Sequence, residues 1–292
     1  MKISNLQTFL AVIETGSLSR AAQRLHITQS TVTVRLQALE ESLGQRLVNR
    51  QKSGAVPTAA GLRLRRYAEA MSGLWDQARQ EIALPADVRV ICNLGCDADL
   101  WTDAGAHLFA ALQDHQPDIA ISVWGGNPAE MAGWMESGLV DISLGYAASA
   151  ATSQTAIRLA DEVLVLVSPE ADRPVTFDPH YVFVEAGRDF AREHAAAYAN
   201  ADTSNITFNR AEWALSHLSE HGGSAYLPLR LAAPLIADGS LFELADAPVF
   251  KRAVYLLVNN ATTQAWKWLD AALQDADGRI SRSLSSGATK IH

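Results

Sequence analysis

The sequence predicts an α/β protein in two parts: a small helical module with a two-stranded wing, then a larger body in which strands alternate with helices. One long helix joins them. Three observations carry this. Apolar residues recur at helical spacing through residues 6–43, interrupted by two short turns. Between Leu64 and Ala78 the apolar spacing becomes 3, 4, 3, 4. From Val88 onward, short strand-like runs alternate with helical ones.

The chain has 292 residues, enough for two domains at roughly 100–200 residues each, and 48% of it is apolar. No uninterrupted apolar run reaches the ~18 residues of a membrane span. The opening MKISNLQTFLAV lacks a long apolar stretch with a small-residue cleavage site, so no signal peptide is expected. Cys92 and Cys96 are the only cysteines, which excludes a disulfide framework and makes a reducing cytoplasm the expected compartment. Net charge is −8 but unevenly spread. Residues 1–79 carry 11 Lys and Arg against 5 Asp and Glu, and the remainder 13 against 27. A basic module ahead of an acidic body is the asymmetry expected when one part binds phosphates and the other does something else.

In the module, Leu6, Phe9, Leu10 and Ile13 define the buried face of a first helix, which Gly16 stops. Ser19 is the expected N-cap of a short second helix whose Ala21, Ala22 and Leu25 face inward. His26-Ile27 forms a turn, and Thr28 caps a third helix that buries Val32, Leu36, Leu39 and Leu43. At about 100° per residue, Ser30, Val34 and Gln37 lie nearly opposite Val32, with Thr31 and Thr33 on the flanks and Gln29 at the start. Arg35 lies about 60° from the core centre and is expected to reach sideways toward a backbone phosphate. A short polar face with one methyl-bearing residue suits entry into the DNA major groove. Gln29 can pair with adenine, Ser30, Thr31 and Thr33 with phosphates or bases, and Val34 can touch a thymine methyl. Beyond Gly44, Arg46, Arg50 and Lys52 surround Ser53-Gly54 as a basic wing. Pro57-Thr58 then opens a helix in which Leu64, Tyr67, Met71, Leu74 and Ala78 form a heptad seam, read as a dimerising linker that Pro85 ends.

The segment Leu6–Gly61 resembles the winged helix-turn-helix of LysR-type transcriptional regulators. The resemblance rests on Phe9, Gly16-Ser17, Ala21-Ala22, Leu25, Thr28-Gln29-Ser30, Leu39-Glu40-Glu41, Leu43-Gly44, Leu47, Arg50 and Thr58-Ala59-Ala60-Gly61. Ser30 stands where many members have proline, and Val34 where many have arginine.

In the body, strands are expected at Val88–Leu94, Ile119–Trp124, Asp141–Tyr146, Val163–Ser168, Tyr181–Glu185, Ile206–Phe208, Ser224–Leu227 and Ala253–Val258. Helices are expected at Trp101–Leu112, Pro128–Ser137, Asp189–Tyr198, Arg210–Glu220, Leu229–Ala237 and Thr263–Asp275. That alternation predicts a mostly parallel sheet with helices on both faces, and a ligand site near strand C-terminal ends. The Ser/Arg/Gly-rich stretch Asp277–His292 has no periodicity and is expected to be loose.

This half also resembles the family, which carries a two-lobed, periplasmic-binding-protein-like effector domain. Pro117-Asp118, Gly138, Asp141-Ile142, Gly145-Tyr146 and Arg252–Leu256 carry the likeness. It implies a DNA-binding domain at 1–57, a linker helix at 58–86, and an effector domain at 87–280. Within the latter, one lobe spans 87–161 and 261–280, the other 162–260, and a tail follows at 281–292. It implies further a homodimer or homotetramer, promoter DNA with an interrupted inverted repeat, a small-molecule effector between the lobes, and contact with RNA polymerase.

The loops expected at the cleft contribute Cys96, Asp97, Asp99, Trp101, Trp124, Tyr146, Glu185 and Arg188. Asp97, Asp99 and Glu185 oppose an anion, and Arg188 is the evident counter-charge. The expected effector is therefore neutral or cationic, with aromatic contacts from Trp101 or Trp124. Alternatively the acids cap helices, Asp99 serving the Trp101 helix. His217-Leu218-Ser219-Glu220-His221 matches an inverted zinc-protease pattern, but Gly222-Gly223 ends the helix there and no third ligand is evident, so a zinc hydrolase is a remote alternative. An architectural DNA-binding protein without effector control is another. Walker, Gly-x-Ser-x-Gly and Gly-x-Gly-x-x-Gly motifs are absent, and neither cofactor, metal nor enzymatic activity is expected.

Overall fold

A computed structural model describes residues 2–51, 54–84, 88–148, 151–176, 178–199 and 204–285. The chain forms two compact units, Met1–Ala86 and Asp87–His292. Among the described residues, no helix is long and apolar enough to cross a membrane.

In the first unit, α1 (Ile3–Thr15) ends at Gly16, whose φ of 63° is the left-handed stop its position predicts. The cap of α2 (Leu18–Arg24) is Ser17, not Ser19: its hydroxyl accepts the Arg20 N–H. Ser17 has the extended backbone that an N-cap requires, while Ser19 already lies inside the helix. His26, with φ 53°, makes the turn, and Thr28 caps α3 (Gln29–Leu43) by accepting the Thr31 N–H at 3.2 Å. Val32, Leu36 and Leu39 are fully buried with Leu6, Phe9, Val12 and Ala21. Leu43, expected in that core, is 44% exposed, because α3 ends there and the chain turns away at Gly44.

The wing is the hairpin β1 (Val48–Gln51) and β2 (Gly54–Pro57). Glu40 of α3 fixes it: Oε1 accepts the N–H of Leu47 at 2.8 Å and of Val48 at 3.1 Å. The Ala55 N–H donates to Gly16 O at 2.8 Å, so the hairpin is tied to the turn after α1 as well. Lys52 lies outside the described residues, as does Pro85.

Helix α4 (Ala59–Ile82) begins against the wing. Thr58 Oγ1 donates to Arg46 O and accepts the Gly61 N–H. Ala68 is fully buried in the unit's core, and Leu64 packs against that core instead of standing free in the seam. Tyr67, Met71 and Leu74 are exposed, with Leu62, Trp75 and Ile82. The inner side of α4's first turns is thus used within the unit, and its apolar exterior is left uncovered.

The second unit is built on one nine-stranded sheet. Its strands are β3 (Val90–Cys96), β4 (Ile119–Gly125), β5 (Ile142–Gly145), β6 (Gln154–Ser168), β7 (Tyr181–Val184), β8 (Ile206–Phe208), β9 (Ser224–Pro228), β10 (Phe242–Glu243) and β11 (Phe250–Asn259). The order is β4-β3-β5-β11-β6-β9-β7-β8, with β10 on β6. The sheet is mixed, not mostly parallel. Strands β4, β3 and β5 are parallel, as are β9, β7 and β8, but β6 and β11 run antiparallel to their neighbours and join the two sets. Both are long enough to pass from one set to the other, which a simple strand–helix alternation does not reveal.

Around one set, Cys92, Leu94, Ile142, Leu144 and Leu256 pack with α5 (Ala106–His115) and α11 (Leu269–Ser285). Around the other, α8 (Ala211–His221) and α9 (Leu229–Ala237) cover Val165, Val167, Val182 and Leu227. Helix α7 (Arg188–Ala197) covers a separate cluster containing Leu164, Leu166, Tyr226 and Phe250. Helix α6 (Pro128–Ser137) starts in a capping box of Asn127 and Glu130.

Three further expectations are corrected. The helix foreseen from Trp101 opens as a π-helical turn, Trp101–Gly105, before α5. Asp97, not Asp99, caps the preceding 3-10 turn, because its Oδ1 is placed to accept the Asp99 N–H at 3.0 Å. The C-terminal helix splits into α10 (Asn260–Ala265) and α11, and α11 continues to Ser285, into the first part of the stretch expected to be loose. Ala276, Ile280 and Leu284 are buried at helical spacing, a face sparse enough to be hidden among Ser and Arg. Residues 286–292 lie outside the described set.

Candidate nucleic-acid interface and effector cleft

The start of α3 carries the DNA-facing candidates. Gln29, Ser30 and Gln37 are exposed, Val34 is 63% exposed, and Thr31, Thr33 and Arg35 are half-buried. The Thr28 hydroxyl lies 2.8 Å from those of both Ser30 and Thr31, so these side chains are held at the helix start before any contact is made. Arg35 makes no ion pair among the described residues, so its guanidinium is available for a phosphate. Arg50 lies in β1 of the wing. This surface combines small polar groups, one apolar contact and unpaired positive charge at a helix start backed by a rigid core, the requirements for reading a groove.

In the second unit, strand C-terminal ends deliver charged residues to one place. β3 leads into Asp97 and Asp99, β5 into Tyr146, β8 into Arg210 and β9 into Arg230. Arg210 Nη1 lies 2.8 Å from Asp97 Oδ1 and 3.7 Å from Asp99 Oδ1. Arg230 reaches Asp103 at 2.8 Å and Glu162 at 2.7 Å, and also donates to the Asp99 carbonyl. Arg252 meets the other Glu162 oxygen at 2.6 Å and stacks over the Tyr146 ring, 3.4 Å from its centroid. The Tyr146 hydroxyl donates to Glu162 at 3.1 Å.

Burial alone pushes the Glu162 carboxyl upward, but Arg252 and Arg230 outweigh it and hold it below the ordinary glutamate range. Asp99 goes the other way: burial and the neighbouring Asp97 raise it, against a partial pull from Arg210. The phenol of Tyr146 is raised by burial and by Glu162, so it stays a hydrogen-bond donor. Four carboxyls thus face three guanidiniums, and Asp99 has only a share of one: Arg210 lies 2.8 Å from Asp97 but 3.7 Å from Asp99. A cavity of about 260 Å³ opens at Gly145, the residue before Tyr146, lined by Ala129, Met131, Ser143 and Ala147.

Of the residues expected at the cleft, Asp97, Asp99 and Tyr146 belong to this cluster. Cys96 adjoins it but is buried, its thiol directed at Asp97 O and pushed up to about 12 by burial, then by Asp97. That is an inert thiol, not a redox-poised one. Trp101 and Trp124 are partly exposed, edge-on to Phe109 and Trp134. Glu185 and Arg188 are exposed, and no ion pair joins either to the cluster. Arg188 is therefore not the main counter-charge; Arg210, Arg230 and Arg252 are. These three, with Glu162 and Asp103, carry no local signal in the loops after the strands, where cleft residues are expected. Each arginine instead opens a predicted helix or lies in a strand.

His217 and His221 lie on α8 with ring centroids 4.7 Å apart and planes tilted by 48°, and His221 is beside Glu220 at 3.7 Å. No group of three or more potential metal ligands occurs among the described residues.

Comparison with known proteins places both units. Residues 3–62 match the bacterial regulatory helix-turn-helix protein, lysR family, and residues 91–277 match the LysR substrate binding domain. The chain belongs to the LysR family. Among curated relatives of this LysR-type regulator is the HTH-type transcriptional regulator HdfR of Salmonella newport (strain SL254), 27% identical over 255 residues, 86% of this chain and 90% of HdfR. Its fold is shared by CbnR, a LysR family transcriptional regulator, with a TM-score of 0.69 at 18% identity, covering 96% of this chain and 99% of CbnR. Full-length LysG from Corynebacterium glutamicum with bound effector Arg matches with a TM-score of 0.52 at 19% identity, over 95% of this chain and 98% of LysG. The protein is thus a DNA-binding transcriptional regulator with a substrate-binding domain, from a family of regulators and not of enzymes.

Proposed function

We propose that this LysR-type regulator recognises a specific inverted-repeat promoter site as a homodimer or homotetramer in the cytoplasm, acts on RNA polymerase there, and is controlled by a small cationic or neutral effector between its two lobes. The observation that carries the effector reading is the imbalance at the strand ends, four carboxyls against three guanidiniums, with Asp99 sharing Arg210 with Asp97 at the longer distance of 3.7 Å. An anionic ligand would add charge to a group already destabilised as a carboxylate, whereas an ammonium or guanidinium would relieve it. LysG, which has the same fold, was solved with Arg bound. The exposed Tyr67, Met71 and Leu74 of α4 supply the dimerising surface, and two copies present two α3 helices to two half-sites. Effector control then is a coupling free energy between the two sites.

Genome-wide footprinting of the full-length protein, followed by calorimetry with amines, guanidines, sugars and carboxylates, tests this. Discrete inverted-repeat sites and binding by amines or guanidines are expected. Tight binding by carboxylates alone, or diffuse footprints unaffected by any ligand, would refute it.

A further inference from the structure

A second cavity, of about 530 Å³, lies away from the ion cluster, between α7, β7 and the loop that precedes β7. It is large enough for a small ligand of one or two rings. Tyr181, Phe183, His194 and Tyr198 form its aromatic wall, and each is half-buried. Tyr181 and His194 stack with centroids 5.5 Å apart and rings inclined at 14°, joined by a 2.8 Å hydrogen bond between the phenol and Nε2.

The polar groups around it are instructive. Asp178 is the carboxylate on the lining, and it is already satisfied by Arg173, the Ser224 hydroxyl and the His180 N–H. The Ser204 hydroxyl is committed to the backbone of Tyr181, Phe183 and Ile206. Burial lowers His194 and raises Tyr181 and Tyr198, so all three are neutral near pH 7. The Thr176 and Thr207 hydroxyls, also on the lining, have no hydrogen bond among the described residues. An ionic ligand would lose hydration here without finding an unpaired opposite charge. A cage for quaternary ammonium needs several open ring faces, but His194 already covers one face of Tyr181, and Phe190 stacks on Phe183 with centroids 5.9 Å apart.

We propose that this cavity is a second ligand site, separate from the inter-lobe cleft, that takes a small neutral aromatic molecule such as a phenol or an indole. The ligand ring packs against Tyr181, Phe183 and His194, and its single O–H or N–H meets a threonine hydroxyl. The wall continues through rings to the sheet: His194 and Phe190 contact Tyr226 and Phe250, and Phe250 is two residues from Arg252 on β11.

The test uses full-length protein and calorimetry with phenol, indole, benzoate and benzyltrimethylammonium. Phenol or indole should bind one per chain, and benzoate and the quaternary ammonium at least tenfold more weakly. Ala191 and Ala195 line the cavity from exposed positions on α7, so Ala195→Trp or the milder Ala191→Leu fills it without touching the core. Either variant, with an unchanged circular dichroism spectrum, should lose at least tenfold in affinity. Crystals of the unaltered protein soaked in 4-bromophenol should show anomalous bromine signal beside Tyr181 and His194. Bromine at Asp97–Arg210, equal or tighter binding of either ion, full affinity in both filled variants, or no binding of either neutral ring would each overturn the proposal.

Discussion

The Glu162 carboxylate lies 2.7 Å from Nε of Arg230, with the two side chains only 1% and 4% exposed. Arg252 holds the other oxygen, so one carboxylate from β6 satisfies two buried guanidiniums. Removing it leaves Arg252 with no ion pair among the described residues and Arg230 with Asp103 alone. Glu162→Gln is expected to destabilise the protein by about 3–5 kcal/mol in urea denaturation at pH 7. The Glu162 carboxyl is held below its ordinary value when folded. Its stabilisation is therefore complete above the unfolded value of about 4.3 and is lost as pH falls through the folded one. The gap between wild type and variant should narrow on acidification below pH 4; a constant gap would show that ionisation of Glu162 contributes nothing.

Asp99 has the opposite sign. Its carboxyl is raised in the folded state, so its stability contribution is present below the unfolded value and is lost as pH rises through the folded one. Asp99→Asn keeps the backbone contacts to Asp97 and Arg230. It should raise the thermal midpoint at pH 7, with an advantage that vanishes below about pH 4. The same variant should weaken a cationic effector about tenfold or more, since a charge-assisted contact is worth about 1.5–3 kcal/mol. A midpoint lower than wild type at pH 7 would show that the carboxylate is stabilised where it lies.

At the DNA surface, Arg35 and Val34 are expected to behave differently. Arg35 is half-buried at the flank of α3, and Val34 points outward. Arg35→Ala should weaken binding to all sequences and reduce the salt slope by about one. Val34→Ala should alter base preference at one position per half-site, by about 1 kcal/mol, with the salt slope unchanged. Titrations at several salt concentrations on a set of single-base variants distinguish the two; loss of base preference on changing Arg35 would reverse the assignment.

Gly61 couples the linker helix to the wing. A Cβ built there would lie 2.2 Å from Leu47 O, a carbonyl that also accepts the Thr58 N–H at 2.9 Å. Gly61→Ala must push the wing away from α4. A net cost of about 1–3 kcal/mol is expected despite the better helix propensity of alanine, with weaker DNA binding through the displaced wing. Thermal unfolding and a gel-shift titration check this; a more stable variant would mean that the wing yields freely.

Local elements were legible from residues alone where short-range physics decides them. Gly16 stops α1, Thr28 caps α3, and Val34 faces outward, because caps and helix faces depend on neighbours three or four positions away. The strands β3, β4, β5, β7, β8 and β9, the second half of β6 and the helices α6 and α9 follow from alternating or helical hydrophobic spacing for the same reason, whereas the first half of β6, residues 154–162, lies outside the strand expected at Val163–Ser168. Ser17 in place of Ser19 is a boundary shift of two residues.

What only the tertiary structure decided is which distant residues meet. Arg210 and Asp97 are 113 positions apart, and Arg230 and Asp103 are 127 apart. Nothing in the local pattern pairs them; the antiparallel crossing of β6 and β11 does, by bringing two sets of parallel strands end to end. The same holds for Leu64, drawn into the N-terminal core, Leu43, left outside it, and the C-terminal half of α11, where Ile280 and Leu284 find a core. By itself the sequence determined the two-part architecture, the family and the face of α3 that turns outward. Folding decided the charge balance of the ion cluster at the strand ends, because a buried charge is tolerable only where the chain, from far along its length, supplies the partner.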